Sequence, residues 1–109
     1  MNDITEITDA LTRFRDERDW AQFHNPKDLA VALSIESAEL LETFLWKKPE
    51  DADPDKIKEE LADVFAYAFL LAKKMELDVK EIVLEKIDAN SRKYPVSKAR
   101  GTAQKYDEL

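Results

Sequence analysis

Apolar residues recur at helical spacing along most of the chain, and polar punctuation divides them into four segments. Ile4, Ile7, Leu11 and Phe14 fall on one face of a first helix predicted over residues 3–18. Asp3 and Glu6 stand at capping-box spacing and mark its start. A connection over residues 19–24 carries Trp20, Phe23 and His24. Asn25 is a good N-cap and Pro26 suits a first helical position, so a second helix is expected over residues 26–46. Residues 47–53 are charged and read as an exposed loop. Asp53 and Pro54 open a third helix that runs to about Met75 and contains an unbroken apolar stretch from Val64 to Ala72. Asp78 caps a fourth, over residues 79–92, with Ile82, Ile87 and either Val83 or Leu84 facing inward. Pro95 ends regular structure and leaves residues 95–109 as a basic, polar tail.

Short connections between successive helices predict antiparallel neighbours, hence an all-α, four-helix-bundle-like fold in a single domain over residues 1–109. One glycine and four prolines support that reading, because sheets and turns consume more glycine. A third helix that is apolar on every side belongs at the centre of an assembly. It has more apolar surface than one small chain can cover, so an obligate homo-oligomer, at least a dimer, is expected.

The net charge of −7 argues against duplex nucleic acid as a partner, since phosphate backbones are bound by positive surface. Residues 86–109 nevertheless carry six basic side chains against three acidic ones. An acidic body with a basic tail suits a small anion, although from charge alone a solvated basic terminus is the better account. No run of 18 apolar residues exists to span a membrane. The N-terminus lacks the basic flank and apolar run of a secretory signal, and the chain has no cysteine. A cytoplasmic protein is the expectation.

Within the apolar stretches lie two pairs of acids at helical spacing, Glu36 with Glu39 and Glu60 with Asp63. At about 100° per residue, Glu36 projects with Leu29, Leu33 and Leu40, in the middle of the apolar stripe. Glu60 points with Val64, Tyr67 and Leu71. Acids so placed need a partner that offsets their desolvation. Pairing with Lys or Arg of another helix is one solution, but no matching basic cluster exists. Four converging carboxylates suit a hard divalent cation, Mg²⁺ above all, with Mn²⁺ as a substitute. Di-iron bundles need Glu-x-x-His from two helices, and His24 is the only histidine. Tyr67 follows Asp63 by four residues, Trp46 follows Glu39 by seven, and Trp20 lies in the connection closing one end. Rings near a metal, with basic residues downstream, make a plausible nucleotide pocket, though each ring taken singly reads as core.

These residues form an ordered set: residues 14–20 (Phe-Arg-Asp-Glu-Arg-Asp-Trp), 23–27 (Phe-His-Asn-Pro-Lys), 36–40, 59–64, 86–95 and Lys105-Tyr106. In this set the chain resembles the all-α nucleoside triphosphate pyrophosphohydrolases of the MazG-like superfamily, in the dCTP pyrophosphatase-like branch, over nearly its whole length. The resemblance implies Mg²⁺-dependent cleavage of a (deoxy)nucleoside triphosphate, dCTP or a related pyrimidine dNTP, to the monophosphate and pyrophosphate, as house-cleaning of the nucleotide pool. It implies metal binding by Glu36, Glu39, Glu60 and Asp63, with Glu39 and Glu36 as the catalytic acids. It places Trp20, Phe23, His24, Trp46 and Tyr67 around the base and Lys86, Asn90 and Tyr94 near the phosphates. Relatives are dimers or tetramers. Ser34-Ile35-Glu36-Ser37 departs from the small, often glycine, residues common near the first acid, which alters packing. Two alternatives stand beside it: a non-catalytic, oligomeric helical interaction module, and the same chemistry with broad nucleotide specificity.

Overall fold

The computed structural model describes residues 2–109 and contains helices and turns, with no strand among the described residues. The chain divides into two compact units, Met1–Leu77 and Asp78–Leu109. The first unit holds α1 (Asp3–Glu17), α2 (Pro26–Glu42) and α3 (Pro54–Lys74). The second holds α4 (Val79–Lys93) and the single turn α5 (Val96–Ala99).

Helix starts follow the punctuation closely. Asn25 accepts from the Asp28 amide at 2.8 Å, and its own amide donates to the Asp28 carboxylate at 2.7 Å. Asp53 and Asp78 cap α3 and α4 through the amides of Asp55 and Glu81, both at 2.9 Å. At α1 the cap is one residue earlier than expected: Asn2, not Asp3, accepts from the Thr5 amide at 2.8 Å. Asp3 and Glu6 instead sit in the first turn, where negative charge faces the positive end of the helix dipole.

Helix ends were harder to foresee. Two of them close in Schellman motifs without the customary glycine. Beyond α1, the amides of Asp19 and Trp20 donate to the carbonyls of Asp16 and Arg15, with Asp19 at φ 55°. Beyond α3, the amides of Glu76 and Leu77 donate to Lys73 and Ala72, with Glu76 at φ 56°. An acidic residue thus occupies the left-handed position in each. Helix α2 ends at Glu42, not at Trp46 as expected: residues 43–47 form three-residue turns and Trp46 adopts φ 62°. The charged loop after it contains a short 3₁₀ turn, Pro49–Asp51, and a buried alanine, Ala52. The tail is likewise less irregular than expected, because Val96–Ala99 and Tyr106–Glu108 form short helical turns.

In the first unit α3 packs along α2 and, less extensively, against α1. Its fully covered side chains are Leu29 (2% exposed), Ala52, Leu70 and Ala72. This is a small core for the apolar material available. Helix α3 leaves Leu61 and Phe65 exposed, α2 leaves Val31, Ile35 and Leu41, and α1 leaves Ile7 and Phe14. In the second unit Ile82, Val83, Leu84 and Ile87 of α4, expected among its inward-facing residues, are all exposed. Ile7, Leu11, Ala62, Phe65, Ala66 and Phe69 line an apolar groove of ≈ 430 Å³ between α1 and α3.

Candidate functional site

The α2–α3 pairing brings the acids of both helices together. One carboxylate oxygen from each of Glu36, Glu60 and Asp63 lies within 4.8 Å of the others. Glu39 stands beside this triad rather than in it, close enough for its carboxylate to act on and repel both Glu36 and Glu60. Glu36 lies on the half-covered stripe of α2 with Leu33 and Leu40, as its spacing predicts. Its Oε2, and that of Glu60, are buried and have no hydrogen-bond partner among the described residues.

The electrostatic consequence is pronounced. Burial, then contact with Glu39, then the charges of Glu39, Asp63 and Glu60 push the Glu36 carboxyl up to about 7. Burial and the charges of Glu39, Asp63 and Glu59 raise Glu60 as well. Like charges this close cannot all ionise unless something positive joins them. Two orphaned, buried carboxylate oxygens in an all-oxygen donor set fit a hard divalent cation.

On one side the triad borders an aromatic cavity of ≈ 250 Å³, to which Asp63 contributes directly. Its walls include Phe14, Trp20, His24 and Tyr67. The Schellman turn after α1 builds this wall, because it swings Trp20 back against Phe14, edge to face at 5.7 Å. The Arg18 guanidinium lies 3.7 Å over the Phe14 ring. His24 meets Tyr67 edge-on at 6.5 Å. Burial and the neighbouring Arg15 charge lower the His24 pKa, which favours a neutral ring, and its buried Nδ1 has no partner among the described residues. Burial and the acids Glu36, Asp63 and Glu39 hold the Tyr67 phenol protonated.

On the other side Glu60 and Glu39 face a polar groove of ≈ 430 Å³ shared with Glu42, Thr43, Lys47 and Lys56. Glu42 therefore borders the site as well. Lys47 and Lys56 make no salt bridge among the described residues.

Of the aromatic residues expected around a base, Trp20, His24 and Tyr67 line the cavity, while Phe23 and Trp46 do not. Trp46 is 94% exposed, since α2 stops four residues before it and takes it off the Glu39 face. Lys86, Asn90 and Tyr94 belong to the second unit, Lys86 exposed and the other two half-buried on the last turns of α4 and its cap. There Tyr94 meets Tyr106 edge-on at 6.1 Å and Lys93 lies 5.0 Å over the Tyr106 ring. Sequence reasoning missed Arg15, Leu11, Lys47 and Lys56. The first two share a face of α1 at i, i+4 spacing, a signal that was legible. The lysines required knowing where α2 ends.

Comparison with known proteins agrees with this arrangement. Residues 31–109 match the sequence model of the MazG-like family. The chain is 42% identical to dCTP pyrophosphatase 1 of Bos taurus, over 97% of this chain and 68% of the relative. Against dCTP pyrophosphatase 1 of Homo sapiens the identity is 41%, over 97% and 67%. Among solved structures it resembles a pyrophosphatase from Archaeoglobus fulgidus with a TM-score of 0.81 and 40% identity, over 87% of this chain and 94% of that one. By its sequence, its helical order and its paired acids, the chain belongs to the MazG-like family.

Proposed function

We propose that this protein is a Mg²⁺-dependent nucleoside triphosphate pyrophosphohydrolase that converts dCTP or a related pyrimidine dNTP to the monophosphate and pyrophosphate, in keeping with a house-cleaning role. The observation that carries the reading is the position of Asp63, which belongs both to the carboxylate triad and to the wall of the aromatic cavity. A nucleotide bound with its base among Trp20, Phe14 and Tyr67 would extend its phosphates over the acids. The dCTP pyrophosphatase 1 relatives support the substrate class.

Glu36, Glu60 and Asp63 would hold the cation, with Glu39 completing the set; Mn²⁺ would substitute for Mg²⁺. When bound, the ion supplies positive charge to the triphosphate oxygens and acidifies water in its neighbourhood. Glu39, outside the triad but within reach of it, orients the attacking water and accepts its proton, a role that Glu36 shares. The water adds at the α–β phosphate linkage as the bridging P–O bond breaks, and pyrophosphate leaves. Lys47 and Lys56 border the groove on the Glu60 side and would stabilise that leaving charge. The resemblance to the family also implies phosphate contacts for Lys86, Asn90 and Tyr94. No polymeric nucleic acid is expected as a partner; no helix among the described residues is long and apolar enough to cross a membrane. The protein would act on the nucleotide pool of the cytoplasm.

The active species is a homo-oligomer, dimer or tetramer. The uncovered groove along α1 and α3 and the exposed apolar residues of α2 and α4 support this. Trp46 and Phe23 would then be covered by nucleotide or by another copy.

Incubation with a panel of canonical and modified (deoxy)nucleoside triphosphates and Mg²⁺, scored for monophosphate and pyrophosphate, tests the proposal. Orthophosphate alone, or turnover in Asp63→Ala and Glu39→Ala matching wild type, would refute it.

A further inference from the structure

One residue in the aromatic cavity is accounted for neither by the acidic pairs nor by packing. Arg15, in the last turn of α1, lines the cavity with Phe14, Trp20, His24 and Tyr67. Its side chain is only 18% exposed. The same Schellman turn that brings Trp20 into the wall bonds the Trp20 amide to the Arg15 carbonyl at 3.0 Å, so ring and guanidinium are tied to one piece of backbone.

A guanidinium has five N–H donors and no acceptor. The Nε–H of Arg15 donates to Asp16 Oδ1 at 2.9 Å, and Asp16 lies outward, half exposed. The two terminal nitrogens make no further hydrogen bond among the described residues. The ion pair with Asp16 uses one donor and leaves the two terminal nitrogens, which still reach solvent, free to meet a ligand at the edge of the aromatic cavity. Asp16 thus holds only the Nε edge of the guanidinium and leaves both terminal nitrogens available.

We infer that Arg15 is a specificity-determining residue, whose guanidinium fork reads the adjacent acceptors O2 and N3 of a cytosine ring and so selects cytosine over uracil and thymine nucleotides. The inference rests on the proposal above that this cavity receives the base. Two parallel N–H groups match two neighbouring acceptors, as they match a carboxylate or the O6 and N7 of guanine. Cytosine presents such a pair. Uracil and thymine place an N3–H between their carbonyls, so donor meets donor. Guanine would satisfy the fork through its other edge, hence the selection concerns the pyrimidines. A site that must hydrogen-bond its ligand rejects the analogue that cannot reciprocate far more strongly than a purely apolar pocket does.

The test uses the whole chain as wild type, Arg15→Ala and Arg15→Lys. Calorimetry measures binding of dCMP and dUMP, and turnover assays give kcat/KM for dCTP, dUTP and dTTP. Wild type should prefer cytosine in both, and Arg15→Ala should lose about 10- to 100-fold of that preference. Arg15→Lys keeps the charge without the fork and should not restore the preference. It also serves as the reading variant if Arg15→Ala does not give a folded circular dichroism spectrum. A cytosine-to-uracil ratio unchanged within about twofold in the variants, an equal loss on all nucleotides, or full restoration by lysine overturns the inference. The binding arm needs no catalysis. Arg15-dependent dCMP preference without any pyrophosphate release would sink the hydrolase reading alone, whereas turnover indifferent to Arg15 would sink this one alone.

Discussion

Competition between protons and metal at Glu36 gives a quantitative test of the carboxylate triad. Its carboxyl is raised from 4.5 to about 7 by burial and by the acids around it. Between those two values the native chain holds a proton that the unfolded chain has released. Stability of the metal-free protein therefore declines as pH rises from about 4.5 to about 7 and levels off above, the reverse of a salt-bridged carboxylate. Metal needs the ionised form. At pH 6 Glu36 would be roughly nine-tenths protonated and at pH 8 roughly one-tenth, so apparent Mg²⁺ affinity should fall about tenfold between pH 8 and pH 6. A carboxylate at its ordinary value would change affinity by only a few per cent over that span. Replacing Glu36 by Gln keeps the shape and removes the titration. The variant should bind Mg²⁺ weakly, and its metal-free melting temperature should vary less across the window. Thermal melts and calorimetric Mg²⁺ titrations at several pH values supply both readouts. Wild-type affinity equal within about twofold at pH 6 and pH 8 would mean that the acids are not crowded as described.

Other elements of the structure yield independent predictions. Leu29→Ala, at a side chain 2% exposed, should destabilise the fold by about 3 kcal/mol in chemical denaturation, the range for emptied core positions. Phe65→Asp places a charge on an exposed ring that stacks at 5.8 Å on Phe69 along the apolar groove. It should reduce the assembly to the 12.6 kDa single chain in light scattering, and an unchanged mass would remove the groove from the interface. Glu76→Gly relieves a left-handed non-glycine residue at φ 56°, a strain of about 1–2 kcal/mol, partly offset by the greater freedom of glycine when unfolded. A net gain on the order of 0.5 kcal/mol should raise the melting temperature by about 2–4 °C; a decrease would show that the Glu76 side chain contributes elsewhere.

The aromatic half of the site depends on how one helix ends. Asp19 in the left-handed position turns the chain so that Trp20 meets Phe14 at the cavity wall to which α1 already contributes Arg15. Had α1 run one turn further, the ring and the guanidinium would project from unrelated angles. The metal half depends on register between α2 and α3, which brings acids 24 positions apart in sequence, Glu36 and Glu60, into one donor set. The carboxylate triad and the aromatic cavity thus meet at Asp63, the one side chain both share.

Local chemistry determined what could be read without coordinates. An Asn or Asp before a proline, or before a run of helix formers, announces a helix start because its side chain satisfies a free amide in the next turn. Asn25, Asp53 and Asp78 all do so. Acids amid leucines announced themselves as well, since spacing alone assigns them to a face. Helix ends are decided differently. With one glycine in 109 residues, their usual mark was missing, and Asp19 and Glu76 took its place under constraints set by packing. That is why Trp46 was expected on the Glu39 face and is found in a turn. Which carboxylates come within ligating distance, and which lysines border them, are properties of helix against helix. Only the tertiary structure decides them, because contacts between distant residues depend on crossing and register, which no short stretch of sequence encodes.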